Sequence, residues 1–559
     1  MLDDQWFAIA TGTAHSIIDE RALPGPRSIL HLAAALEPIT ILHGSSVLVE
    51  ETDDTYSFAV GDTRRLDNLR DFKDAGPERH AVICVVNKQT QQIRVVTDRI
   101  NFAKVFWYKI DGGLVLSTHL TFFDKGRLPL SMTGLACAIA NGTSFDDRTI
   151  FRDVTVLERS SVHEFREGRH TERIYWSYAV DPVGMPRAQK QRLKDALVDS
   201  VRDQVCEHPL LLSLSGGFDS SGILGILAKY AKPKSLKTFS YVSGTPVKGT
   251  DAAVAQQMAA LVGYPHAILQ AYDGDLVETI RQNARLGQSI SNFCDEIDAW
   301  QRQGLSEAGA IVLAGDECFG WSDRRFVSTD DVLISICLRN FEFAGAVVPL
   351  LDPAVRAEMT NGLGGAIDQI LEKSRTQNLH DMKDGLYLDH RIQWGLLPWR
   401  RFVIGEHFAV REPLLQTRVL EVTKTLPTED RIGKALYREA IQELVPEIFS
   451  IPRARTGQAI PAWGRELERN RTRIEEMLKT PSALDQVIDP AVIAKMLSTL
   501  GESRSNKNWK MVVRQMVGPA AARAVRKFVR PEAPRFQSTP VILIRLLVLR
   551  EFLASRQQV

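Results

Sequence analysis

Two rhythms of apolar and polar positions divide this chain. Up to about residue 180 the apolar residues come in short runs separated by turn residues: SSVLVE, TYSFAVGD, HAVICVVN, QIRVVTD and VFWYKIDGGLVLST. Runs of this kind predict strands, and the last predicts a hairpin turning at Asp111-Gly112-Gly113. Over Met185–Val205 the rhythm changes, and MPRAQKQRLKDALVDSVRDQV spaces its apolar residues as a helix does. From Pro209 onward strands alternate with helices. LLLSL leads into a helix predicted over Ser220–Tyr230, LKTFSYV leads into TDAAVAQQMAALVGY, and AIVLAGD follows. Such alternation predicts parallel βαβ units with helices on both faces of a sheet. After about residue 325 the pattern is mostly helical, with VRPEAPRFQSTP (529–540) expected as an irregular linker before a last helix.

The expectation is therefore an α/β chain in three parts. A β-rich α+β domain spans 1–180. A doubly wound parallel-sheet domain with a largely helical C-terminal part spans 185–530, and a linker with a terminal helix spans 531–559. The 559 residues suffice for two to four domains with real cores. A formal net charge of +1 gives no general electrostatic reason to expect nucleic acid as a partner. The six cysteines lack CxxC spacing, which argues against a disulfide framework or a cysteine zinc site and fits a reducing cytosol. MLDDQWFAIATG has no signal-peptide pattern, and PVILIRLLVLREFL is broken by Arg545 and Arg550, so a cytoplasmic chain without a membrane span is expected. One asymmetry stands out: Arg504–Arg535 carries nine Lys/Arg against Glu532 alone. It reads as a solvated helix face or as a patch for an acidic peptide or partner protein.

The candidate chemistry begins at LLSLSGGFDSS, an apolar strand ending in a small, hydroxyl-rich turn at the start of a helix. Ligands in doubly wound sheets bind at such strand ends. Beyond Leu214, Gly216 and Gly217 let backbone N–H groups approach an anion, while Ser215, Ser220 and Ser221 offer hydroxyls at a helix N-terminus. The Walker spacing is absent. Asp219 inside a phosphate loop would repel the anion unless a cation lies between them, which implies Mg²⁺. The plainer alternative is a capped strand-to-helix turn.

The string SGGxDSS is the signature of the ATP-pyrophosphatase loop, and this copy resembles that of the asparagine synthetase family. TFSYVSGTPVKGTDAAVAQQMAALVGYPHAIL resembles the family's next strand and helix, with Asp251 opening the helix. VLAGDECFGW resembles the second pyrophosphate loop, so the resemblance implies roles for Gly315, Asp316 and Glu317, with Asp316 as the other Mg²⁺ carboxylate. VREPLLQTRVLEVTKTLP and GKALYREAIQELVPEIFSIPRARTGQAIPAW resemble later family segments. The first domain looks like the glutaminase-like (Ntn-type) half. ATP and Mg²⁺ are the implied cofactors, and the implied enzyme is an ATP-dependent carbon–nitrogen ligase that forms AMP and pyrophosphate.

Departures from the family pattern narrow the expectation. Glutamine-hydrolysing members carry a cysteine after the initiator methionine, where this chain has Leu2, so the first domain is expected to be a degenerate scaffold. The family places a lysine two residues after an arginine; here Arg455 follows Arg453, which keeps charge stabilisation but not proton transfer. Lys434 is a second cation candidate. The attacking amine must lose a proton, and Tyr387, His390, Glu406, His407 and Glu412 are candidates for that work. Trp394, Trp399 and Phe402 read as core more readily than as a substrate platform. Two branches lacking the cysteine form intramolecular amides, and the chain looks most like the lasso peptide macrolactam synthetases. That resemblance implies adenylation of an Asp or Glu side chain of a precursor peptide, attack by the peptide's own N-terminal amine, and a leader-binding protein and leader peptidase as partners. A β-lactam synthetase-type closure, an ammonia-dependent asparagine synthetase and a non-catalytic ATP-fold binding module are the alternatives.

Overall fold

The computed structural model describes residues 5–19, 23, 27–32, 38–123, 126–182, 186–244, 249–305, 307, 309–319, 325–374, 376–454, 461–500 and 538–554. Leu2, Arg455, the basic stretch 504–535 and most of the expected linker lie outside the described residues.

The first domain is a sandwich of two six-stranded sheets whose named pairings are all antiparallel. Its strands are β1 (Phe7–Thr11), β2 (Arg27–Leu32), β3 (Ile39–Gly44), β4 (Leu48–Glu51), β5 (Thr55–Gly61), β6 (Ala81–Asn87), β7 (Ile93–Val96), β8 (Phe106–Ile110), β9 (Gly113–Ser117), β10 (Thr155–Val156), β11 (Ser161–Arg166) and β12 (Arg169–Ile174). One sheet runs β10-β8-β9-β1-β3-β2 and the other β12-β11-β7-β6-β5-β4. Alternation along each strand sends Phe7, Ile9, Ile39 and Ile41 against Phe58, Val82, Cys84 and Val86 between the sheets. The outer face of β6 buries Ala81, Ile83 and Val85 in a satellite cluster. Ala8, Ala10, Phe106 and Val115 face the other way, into a core continuous with the second domain. The expected runs become β4 to β9, and Gly112 takes the left-handed turn of the hairpin at φ 79°. Strands β1 to β3 and β10 to β12, and a helix α1 (Met132–Asn141), were not anticipated individually.

The second domain follows α2 (Pro186–Arg202) and carries a five-stranded, all-parallel sheet: β13 (Leu210–Ser213), β14 (Leu236–Val242), β15 (His266–Gln270), β16 (Ile311–Leu313) and β17 (Ala409–Arg411). Helices α3 (Phe218–Ile226), α4 (Asp251–Leu261) and α5 (Leu276–Gly287) follow the first three strands. The predicted helix at Ser220 starts two residues earlier and ends in a wider turn over Leu227–Ala231. Strand β17 was not expected, because three extended residues inside a helical stretch leave no periodic signal. Leu211, Phe239, Leu269 and Val312 pack on Trp300 and Phe408 on one face. Leu210, Leu212 and Leu313 pack with Leu193, Ile223 and Val254 on the other. The spatial order is β15-β14-β13-β16-β17, so the chain reverses direction of growth between β13 and β16. Such a switch point is where doubly wound sheets take ligands.

The C-terminal helix Thr539–Phe552 is buried in the main core through Ile542, Leu543, Leu546 and Leu547. Arg545 donates to the carbonyls of Ile139 and Ala140 at the end of α1, where no intrahelical donor remains. Arg550 pairs with Asp485 at 2.9 Å and donates to the carbonyls of Met477, Leu478 and Thr480. Among the described residues no helix is long and apolar enough to cross a membrane.

Candidate active site

The loop between β13 and α3 is held at both ends. Leu214 N donates to Phe239 O at 2.8 Å, and Ser240 Oγ donates to Leu214 O at 2.6 Å, which pins the end of the strand. The turn then closes on itself, with Ser215 N donating to Ser220 Oγ at 3.0 Å and Gly217 N to Ser215 Oγ at 3.2 Å. Ser221 Oγ donates to Gly217 O and accepts from Arg453 Nη1 at 3.1 Å. The hydroxyls expected to face a phosphate are thus bonded inward, because burial of Ser220 and Ser221 makes the loop satisfy its own polar groups. Gly216 N donates to Asp251 Oδ1 at 3.1 Å, so a carboxylate from the first turn of α4 occupies one of the loop's backbone donors. A Cβ on Gly216 would lie 2.6 Å from Ala454 Cβ and 2.9 Å from that carboxylate, so only glycine fits.

The loop after β16 meets this one directly. A Cβ on Gly315 would sit 3.0 Å from Ser220 N. Asp316 Oδ2 accepts from Arg400 Nε at 2.7 Å. Lys434 Nζ lies 2.7 Å from Asp219 Oδ2 and 3.0 Å from Glu317 Oε1, bridging the two loops. Asp219 Oδ1 is buried and has no hydrogen-bond partner. Burial pushes the Asp219 carboxyl up to about 6; Glu317 and Asp316 add to the rise, and Lys434 opposes it. Burial disfavours the Lys434 ammonium, but Glu317 and Asp219 outweigh burial and raise it. Lys434 and Gly433 both have left-handed backbones (φ 59° and 60°), a conformation a lysine adopts only under constraint. Three carboxylates therefore converge where the sheet switches direction, with one oxygen unclaimed. Carboxylate oxygens are the hard donors that Mg²⁺ takes, but among the described residues only His163, His170 and Glu172 bring three ligand atoms within 4.8 Å of one another.

Three predicted residues surround the cluster. Arg453 lies over the rings of Phe218 (4.7 Å) and Phe449 (4.1 Å), and its buried Nη2 has no partner. Burial lowers its guanidinium to about 10. Burial raises the Tyr387 phenol well above its usual value, and Glu317, Asp316 and Asp219 raise it further. Glu412 is fully buried, 4.0 Å from Arg400 Nε, and neither of its oxygens finds an N–H or hydroxyl donor. Burial and the neighbouring Asp316 raise it well above the carboxylate range, and Arg400 opposes the rise. Tyr387 and Glu412 thus both feel the charge of the neighbouring acids.

Two of the other base candidates are engaged elsewhere: Glu406 pairs with Arg285 at 2.9 Å and His407 faces Asp298 at 3.8 Å. His390 is buried near Asp389 and Asp146, and its Nδ1 has no hydrogen-bond partner. Trp394 and Phe402 are core residues, while Trp399 donates to Cys294 Sγ and carries Arg400 over its ring at 4.1 Å. Sequence reasoning missed Arg400 and Tyr437. The Tyr437 ring stacks on Phe319 at 4.0 Å, and its buried hydroxyl is unpartnered. Nothing in PWRR separates Arg400 from Arg401, since only folding brings one of them to Asp316.

A parallel sheet with a switch point, a glycine-serine loop and a facing acidic loop define a nucleotide-activating synthetase of the doubly wound class. The chain belongs to the asparagine synthase family: that family's profile matches residues 192–328 and 343–522, more than half of its length. The family forms carbon–nitrogen bonds at the expense of ATP. Two solved structures show a slight likeness. The glutamine phosphoribosylpyrophosphate (PRPP) amidotransferase from B. subtilis complexed with ADP and GMP is 7% identical with TM-score 0.18, over 56% of this chain and 76% of that one. The allosteric regulatory enzyme of purine biosynthesis is 8% identical with TM-score 0.16, over 60% and 72%. Overlap that small has no bearing on the site. No curated protein matches the chain.

Proposed function

We propose that this protein uses ATP and Mg²⁺ to activate an Asp or Glu side-chain carboxylate of a precursor peptide, which the peptide's own N-terminal amine then attacks to close a macrolactam. The observation that carries the activation step is the convergence of Asp219, Asp316 and Glu317 at the switch point, with Asp219 Oδ1 unclaimed. These carboxylates would hold Mg²⁺, which supplies charge neutralisation for the phosphates. Arg453 offers its spare Nη2 to an anionic oxygen, and Arg455 is proposed to add a second fixed charge. Lys434 keeps the two loops at one spacing, and the protonated Tyr387 phenol can donate a hydrogen bond beside them. The rest of the rate is proposed to come from holding the peptide folded, since orientation can supply roughly 7–11 kcal/mol.

An amine other than glutamine-derived ammonia is part of this proposal; of the six cysteines, Cys206 and Cys337 are half-buried and the other four are enclosed. Cys84, Cys137, Cys294 and Cys318 are buried, and burial raises each thiol, Cys137 to about 12, so none of the four is a ready thiolate nucleophile. The first domain is read as a retained scaffold, and a leader-binding protein and a leader peptidase are the proposed partners. Incubation with ATP, Mg²⁺ and a peptide bearing a free amino terminus and an internal Asp or Glu should release pyrophosphate and yield a product lighter by one water. Asparagine formed from aspartate and ammonium, with the peptide untouched, would overturn this reading in favour of an ammonia-dependent synthetase. Closure of a small amino acid derivative instead would point to a β-lactam synthetase type. No pyrophosphate with any of the three would point to a binding module.

A further inference from the structure

A cavity of about 220 Å³ lies between the domains, bounded by Asp62 and His80 of the first and by Arg400, Arg401 and Arg411 of the second. Its charges do not balance. Asp62 is already spent on Arg64, through paired 2.7 Å bonds, and on Arg79 at 3.2 Å. Asp203, the next acid along that wall, pairs with Arg79 and Arg65. Arg400 is matched by Asp316, yet its buried Nη1 has no partner. Arg401 and Arg411 have no carboxylate within ion-pair distance among the described residues. Their recorded donations go to the carbonyls of Gln5 and Gln204 and to Cys206 Sγ. His80 Nε2, also buried, is unpartnered. Burial lowers Arg401 to about 10 with nothing opposing it, and it lowers Arg411 as well, helped by Arg64 and opposed by Asp62. Arg411 is offset only in part by Asp62, which Arg64 and Arg79 already share, and the half-buried Arg401 has no carboxylate beside it; guanidinium groups so placed on the wall of one cavity call for a counter-ion.

We propose that this interdomain cavity is a binding site for a small oxyanion, a carboxylate or phosphate group, received by Arg401 and Arg411. Arginine forks match the planar or tetrahedral oxygens of such groups through charge-assisted hydrogen bonds. Phe102, Phe408 and Val410 line the remainder, so a ligand with a short apolar part also fits. The site stands apart from the carboxylate cluster but one side chain away, because Arg400 lines the cavity while its Nε holds Asp316. Both domains contribute walls, so the ligand would tie them together.

The test is thermal unfolding and calorimetric titration of the full chain with inorganic phosphate and, separately, succinate, at constant ionic strength against chloride. Wild type should bind at least one of the two with a Kd below about 1 mM and unfold at a higher temperature in its presence. Arg401→Gln should lose the anion response and, without the anion, should unfold no lower than wild type, because it removes a half-buried charge that has no carboxylate partner among the described residues. Arg401→Lys should keep part of that response. A response to phosphate alone or to succinate alone identifies the headgroup. No binding by wild type, or equal binding by Arg401→Gln, would overturn the proposal, the latter marking surface attraction only.

Discussion

Asp98 in the first domain and Asp219 in the second are both enclosed aspartates at the start of a turn, and they are treated in opposite ways. Asp98 is fully buried, and its two oxygens accept from the backbone N–H groups of Ile100, Phe102 and Ala103. The carboxylate is saturated by the loop that it shapes. Asp219 has one oxygen on Lys434 and the other on nothing. Folding satisfies buried polar groups wherever the chain alone must be stable. Under the proposed function, a carboxylate left half-satisfied, ringed by Asp316, Glu317 and a strained lysine, has a ligand as its missing partner. The difference separates structural burial from functional burial more clearly than exposure does.

The largest expected effects come from exchanging the fates of these two residues. Asp219→Ala should lower pyrophosphate release by roughly 10²–10³-fold or more while leaving the unfolding temperature unchanged or higher. Asp98→Ala should instead destabilise, by on the order of 1–3 kcal/mol for each buried amide left unpaired, as read by urea unfolding. If Asp98→Ala unfolds no more easily than Asp219→Ala, the contrast fails. Asp316→Ala is the intermediate case, because it strands the buried Arg400. About 3–5 kcal/mol should be lost in denaturant titration, and much of it recovered by adding Arg400→Met.

A smaller effect belongs to Asp62 on the interdomain wall. Burial works against its ionisation, but Arg64, Arg411 and Arg79 outweigh burial and hold the carboxyl down at about 2, against an ordinary value of 3.8. A depressed carboxyl adds stability that is complete above its unfolded value and is lost as pH falls from about 4 to about 2. Asp62→Asn should therefore cost about 2 kcal/mol at pH 7 and flatten the stability profile across that window. The smallest change compares two glycines of the site. Gly315→Ala places a Cβ 3.0 Å from Ser220 N and should slow pyrophosphate release up to about tenfold by parting the loops. Gly217→Ala meets only Ser215 Oγ, at 3.3 Å, and should be milder in the same assay.

What could be read along the chain was what is local. The parallel sheet announced itself through alternating runs, and the two loops through glycine, serine and acid at close spacing, because a tight turn at a strand end constrains neighbours in sequence. Asp219 was legible for that reason, whereas Asp316 and Glu317 were legible through the resemblance of VLAGDECFGW to the family's second pyrophosphate loop. Tertiary structure alone decided which cations meet them. Lys434 reaches Asp219 across 215 residues, and Arg400 reaches Asp316 across 84. Neither separation leaves a periodic trace. Folding also decided that β13 and β16 lie side by side, that Glu412 is buried near Arg400, and that the helix Thr539–Phe552 belongs to the core. Local strings record backbone geometry, whereas charge balance and burial are settled only when distant segments exclude water together.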